Sequence, residues 1–236
     1  MRNIKAVFTK QMLSYFKNPD FFGAPMFFLA IPFFILLLVP GADADSDRGI
    51  IVSQFIVMFI GISMIGTSAG YIREDRGTMN LRFMGMAGVK PYQYLIATCM
   101  ALLAISFIAM ILFGLMAQYS GEEMVNFLMI SMMGAGTSML LGITLSLSKI
   151  GAFTGIIGLL LGIGPMFATA NEFLYNIFRF TYTMQLTTLI REGDLTANLT
   201  EIIQIILINM AVILVAFIFM NTRTGLDGEK IVKKGA

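Results

Sequence analysis

The residues able to do chemistry are few, and their spacing points away from catalysis. The chain has no histidine and one cysteine, Cys99, among 236 residues. Histidine-ligated zinc, haem and histidine-based acid–base work are therefore excluded. So are a disulfide framework and a cysteine cluster for metal. Serines are common, but no apolar run holds a lysine, histidine or carboxylate to activate one as a nucleophile. A phosphate-binding loop needs Gly-Lys-Ser/Thr, and the dipeptide Gly-Lys does not occur. The chain is thus expected to hold no catalytic residue, no metal site and no cofactor of its own.

What remains is one dense charged run, Arg73-Glu74-Asp75-Arg76, followed by Gly77-Thr78. It opens a polar stretch, residues 73–91, that ends in Val89-Lys90-Pro91. The pattern predicts a short helix over Thr78–Met84, with Met79, Phe83 and Met84 as its apolar contacts. Gly77 before it and Gly85 and Gly88 after it permit sharp turns. An apolar tip ringed by charges wants a partner, or else packs on the membrane surface or on other loops.

The elements that carry this loop are apolar. The composition is 57% hydrophobic and 13% charged, with a mean hydropathy of +0.82. A soluble domain has about 45–50% apolar residues, so the bilayer is the expected solvent. Six runs of spanning length follow, at Phe21–Val39, Ile50–Ile72, Tyr94–Gln118, Met124–Leu147, Ile150–Ala170 and Ile202–Met220. None contains Asp, Glu, Lys or Arg. The reading is a single all-α membrane domain over 1–236, with short loops. A cleavable signal peptide at Ala42-Asp43-Ala44 is disfavoured, because the apolar stretch is too long and contains Pro25 and Pro32.

Charge sets the orientation. With the N-terminus inside, only Arg48, Arg179 and Arg191 of the 16 Lys and Arg residues face outward. Asp43, Asp45, Asp47, Glu122, Glu123, Glu172, Glu192, Asp194 and Glu201 face outward with them. Both termini are then cytoplasmic, in a cell membrane of bacterial or archaeal kind. Tryptophan is absent, so the seven tyrosines are assigned to the interfacial belt.

Three further features bear on function. Residues 2–18 place Ile4, Val7, Phe8, Met12 and Tyr15 on one helical face, with Asn3, Lys10 and Lys17 on the other. This predicts an interfacial helix against anionic lipid, ended by Asn18-Pro19. Residues 171–201 are too apolar for a solvated loop and too interrupted to span. They predict short helices dipping into the outer leaflet after a break at Gly164-Pro165, with Phe173 and Phe178 as pathway candidates. Small residues form stripes, Gly151/Gly155/Gly158/Gly162 on the fifth run, Ser63/Gly66/Thr67/Gly70 on the second and Ser131/Ala135/Ser138/Gly142 on the fourth. Such stripes let helices approach closely, within one bundle or at a dimer seam. Gln54 and Asn209 are the membrane-embedded polar groups, able to bond a neighbouring helix or a substrate. Cys99 reads as a small apolar core residue.

Proton-coupled carriers need ionisable groups in the membrane, and the runs have none. Sodium coupling at a broken helix stays open, so an ion-coupled carrier or channel is the alternative. Otherwise the energy comes from another polypeptide docked on the 73–91 loop.

Lys17-Asn18-Pro19 before the first span, Asp75-Arg76-Gly77-Thr78 after the second and Val89-Lys90-Pro91 before the third carry a resemblance. The layout resembles the membrane subunit of type-2 ATP-binding-cassette (ABC-2) exporters, the short six-helix kind, over essentially the whole chain. Asn80 stands where the family has an acidic residue, and Met and Phe replace much of its leucine. The resemblance implies a permease with no ATPase motif, paired with a second copy or a paralogous permease, in membrane lipid and without nucleic acid. Two separate cassette ATPase subunits, which hold the ATP and Mg, dock beneath. It implies that the residue 2–18 helix and the 73–91 coupling helix contact them, through Lys10, Lys17, Glu74, Asp75, Arg76, Gly77, Thr78, Met79, Leu81, Phe83 and Met84. Spans one, two and five would line the pathway or dimer seam, and the dipping helices would gate its outer mouth. The cargo would be a drug, an antibiotic peptide or a lipid, moved outward, as in multidrug or antibiotic resistance.

Overall fold

A computed structural model describes residues 2–38, 45–191 and 199–224. Asp43, Glu192, Asp194, Lys230, Lys233 and Lys234, which enter the charge reading, lie outside them, as do residues 192–198 of the outer segment. Among the described residues every regular element is a helix. Six helices are long and apolar enough to cross a membrane, over Phe21–Leu38, Arg48–Gly77, Pro91–Met116, Gly121–Leu147, Gly151–Ala168 and Ile203–Asn221. These coincide with the six apolar runs, and the chain is a multi-pass membrane protein by length and composition.

Helix α1 (Arg2–Lys17) precedes the first spanning helix, α2 (Pro19–Leu38). Pro19 opens α2 at a position where its missing N–H costs nothing, and Asn18 separates the two helices. The second span is compound. It runs as α3 (Asp45–Met58), a π-helical segment (Phe59–Met64) and α4 (Ile65–Gly77). Its 30 residues make about 45 Å at 1.5 Å per residue, against a hydrocarbon core of about 30 Å. The surplus carries Glu74, Asp75, Arg76 and Gly77 beyond the apolar part of the helix.

A short helix, α5 (Asn80–Met86), then leads to α6 (Pro91–Met116) and α7 (Gly121–Leu147). The sequence places α5 over Thr78–Met84; the structure starts it two residues later. Thr78 still belongs to the end of α4, its N–H bonding the Glu74 carbonyl, and Met79 turns the chain with a positive φ of 57°. Gly88 ends the following turn at φ 78°, where the Val89 N–H reaches back to the Met84 carbonyl. The Lys90 N–H is capped by Gln93 Oε1 at 3.1 Å, and Pro91 occupies the first turn of α6.

The fifth span starts as a 3₁₀ turn (Lys149–Phe153) and continues as α8 (Thr154–Ala168). The expected break at Gly164-Pro165 is absent. Pro165 sits within α8, and the helix runs on to Ala168. Two short helices follow, α9 (Glu172–Phe178) and α10 (Tyr182–Arg191), before the last span, α11 (Leu199–Thr224). Asn171 caps α9 by accepting the Phe173 and Leu174 N–H groups at 2.9 and 3.3 Å.

The core lies around the π segment and α4, which α7 and α8 flank. Phe59, Ile60, Ile65, Ile72, Phe113 and Ile130 are fully buried there. Small residues permit the close packing, though not all those expected. The stripe on α7 does face inward, with Ser131, Ala135, Ser138 and Gly142 all buried. On α8, Gly158 and Gly162 abut Gly61 and Ile62 of the π segment. Gly155 faces open space, and Gly151 lies against the Leu145 carbonyl. On the second span Gly70 receives the Phe21 ring, while Gly66 is exposed with nothing near it. Gly61, outside the expected stripe, abuts the backbone of Gly162. Gly61 itself lies within the π segment.

Four of the seven tyrosines are not lipid-facing. Tyr15, Tyr71, Tyr94 and Tyr182 are buried among protein side chains. Cys99 is half-buried, packed against the edge of the core.

Candidate functional site

The charged run folds into a junction around one carboxylate. Asp75 sits near the end of α4, on the turn that faces α1 and the start of α6, and it is 3% exposed. Lys10 of α1 pairs with its Oδ1. Asn80 at the start of α5 donates to the same oxygen at 3.2 Å. Gln11 Nε2 and the Tyr94 hydroxyl donate to Oδ2 at 3.0 and 2.8 Å. Burying a carboxylate costs several kcal/mol unless its lone pairs are satisfied. Here four donors from α1, α5 and α6 meet it, and that requirement holds the elements together.

Around this centre a second set of bonds closes the junction. Tyr71 donates to the Gln11 carbonyl at 3.1 Å, and Gln11 Nε2 also reaches Thr98 Oγ1 at 3.3 Å. Asn3 Nδ2 donates to the Gly88 carbonyl at 3.2 Å, which ties the first turn of α1 to the end of the loop. Arg76 donates to the Ser146 carbonyl of α7 at 3.2 Å. The ring of Phe21 stacks on Tyr71, with centroids 4.2 Å apart. Tyr15 is enclosed beside Phe16 and Phe22, and burial raises its hydroxyl pKa well above the ordinary tyrosine value, so it stays neutral.

The junction divides the expected docking residues into two groups. Asp75 and Leu81 are buried, and Lys10, Glu74, Arg76 and Met84 are partly covered. These residues shape the loop. Gly77, Thr78, Met79 and Phe83 are exposed on the loop, and Lys17 is exposed at the end of α1. Met86 and Tyr92, which sequence reasoning passed over, are exposed as well. Met79, Phe83 and Met86 are therefore exposed on a braced loop, with Tyr92 at the start of α6, open to a partner or to the membrane surface. Gln11 and Tyr94 were also missed. Neither carries a charge, and only the approach of α1 to α6 gives them a role.

The other candidates lie apart from this junction. Gln54 is half-buried on α3. Asn209 of α11 donates to the Phe180 carbonyl at 2.9 Å and to the Ile205 carbonyl at 2.8 Å. It thus ties the last span to the α9–α10 turn, the plainer of its two readings. Phe173 is exposed on α9, whereas the Phe178 ring covers Gly164 of α8. Helix α10 packs among α3, α7, α8 and α11. Its Tyr182 hydroxyl pairs with Ser138 Oγ at 2.7 Å, and burial raises the Tyr182 pKa, with the Ser138 bond opposing.

Among the described residues no cluster of histidine, cysteine or carboxylate side chains could hold a metal ion. No family model, curated protein or solved structure matches the chain.

Proposed function

We propose that the chain is the membrane subunit of an ATP-driven exporter of the ABC-2 kind. A separate cassette ATPase would supply the energy, and the cargo would be hydrophobic or amphipathic: a drug, an antibiotic peptide or a lipid. The observation that carries this reading is the Asp75 junction. It braces an apolar-tipped loop against α1 and against the end of a 30-residue spanning helix. Force applied at Met79, Phe83 or Met86 passes through Asp75 into α1, α4 and α6 together. A loop built only to connect two spans needs no such bracing.

The composition of the apolar runs supports an energy source on another polypeptide. The six apolar runs hold no Asp, Glu, Lys or Arg, and the chain has no Gly-Lys dipeptide for a phosphate loop. The exposed tip, with Arg82 on the same short helix, suits an apolar cleft on a soluble partner. The tip would face the cytoplasm, with both termini on that side, in a bacterial or archaeal cell membrane. A second copy or a paralogous permease would complete the pathway.

The test is reconstitution in vesicles with a cassette ATPase encoded beside this chain. Transport and ATP hydrolysis should require both polypeptides. Phe83→Asp should lower ATPase binding and transport at least tenfold while the protein still inserts. Transport driven by an ion gradient without the ATPase, with Phe83→Asp unaffected, would replace this reading with an ion-coupled carrier.

A further inference from the structure

A groove opens sideways between α2 and α6. Met26, Phe33 and Leu37 form one wall, Leu112 and Leu115 form the other, and its volume is about 680 Å³. That is the size of a small-molecule cleft. From Met26 to Leu37 the wall runs about 16 Å along α2 at 1.5 Å per residue, roughly one leaflet of a 30 Å hydrocarbon core. Phe33, Leu37 and Leu115 are exposed along it. The groove therefore has the length, lining and sideways opening that an acyl chain requires.

One end is different. Both α2 and α6 terminate there, and α3 begins there, bringing Arg48 into the lining. Arg48 is the charged residue of an otherwise apolar wall. A guanidinium has five N–H donors and favours bidentate phosphate, so Arg48 can serve its partners within the chain and a phosphate as well. An apolar trough of one leaflet's length with a cation at its interfacial end matches a phospholipid.

We propose that this groove is a phospholipid site, with one acyl chain between α2 and α6 and the phosphate on Arg48. The site is independent of what energises the protein. It is tested by native mass spectrometry of the full chain, stripped of lipid in detergent. The stripped chain is supplied with phosphatidylglycerol or with diacylglycerol of the same acyl chains. Phosphatidylglycerol should be retained at least tenfold better. Arg48→Gln should remove that preference, and Ala30→Trp, which fills the groove, should reduce retention of both lipids. Thermal melting of each variant checks that it folds. Equal retention of the two lipids by the wild-type chain overturns the proposal. So does a phosphate preference that survives in Ala30→Trp. Disulfide cross-linking of two copies through Ala30→Cys, with no lipid retained, would assign the groove to a second copy and equally overturn it.

Discussion

Gly61 and Gly162 bring the backbones of the second and fifth spans into contact. A Cβ placed on Gly61 would lie 2.6 Å from the Gly162 Cα, a distance side chains do not tolerate. The obstacle is main chain, so neither helix can yield by turning a rotamer. Gly61→Ala should destabilise the protein by about 1–3 kcal/mol through overpacking. Gly66→Ala is the control. Nothing lies near Gly66, and alanine should be neutral or stabilise by about 0.5–1 kcal/mol in a helix. Thermal unfolding in one detergent compares the two, and equal behaviour would refute the crossing.

The Asp75 junction is expected to be unequal in its parts. Asp75→Leu leaves Gln11, Tyr94 and Lys10 facing an apolar group and should cost about 3 kcal/mol or more. Tyr94→Phe removes one bond to a charged acceptor, about 1.5–3 kcal/mol. The Lys10 side chain is 39% exposed, so solvent screens it and Lys10→Met should cost only about 1 kcal/mol or less. A double-mutant cycle between Asp75→Asn and Tyr94→Phe, read by melting, should show non-additivity; additive losses would mean the two groups do not interact.

Tyr15 buries its hydroxyl with no hydrogen-bond partner among the described residues. Tyr15→Phe removes an unsatisfied polar atom and keeps the ring against Phe16 and Phe22. It should therefore raise stability by about 1 kcal/mol. A clear loss on melting would show that the hydroxyl has a partner.

The pair Ser138–Tyr182 fastens α10 to the fourth span. Ser138→Ala strands the buried Tyr182 hydroxyl and should cost about 1–3 kcal/mol. Adding Tyr182→Phe should recover most of that loss, since both polar groups are then gone. Failure of the second change to rescue the first would put the cost in packing instead of the hydrogen bond.

The six spans could be located from residue order because a bilayer demands that each crossing segment be long, apolar and self-bonded. Residues 171–201 were marked by the same logic as too apolar to be a loop, and their described part forms α9 and α10. Pro165 misled because proline in a span reads as a break, whereas packing holds α8 helical past it. Gly66 and Gly155 misled because regular spacing marks small residues that share a helical face, whereas whether a neighbouring helix reaches each of them is decided by packing.

The sequence by itself determined that the chain is a bundle of spanning helices whose charges lie outside the apolar runs. Those properties are local, fixed by composition along one segment at a time. Only the tertiary structure decided what Asp75 does. In the linear chain it is one charge among four, exposed by any reasonable guess. Folding brings Lys10, Gln11 and Tyr94 to it from positions 65, 64 and 19 residues away, and a charge that reads as exposed in the linear chain becomes the centre of a buried brace. The reason is the cost of burying a charge. It can be met only by donors converging from several helices, and no single stretch of sequence records that convergence.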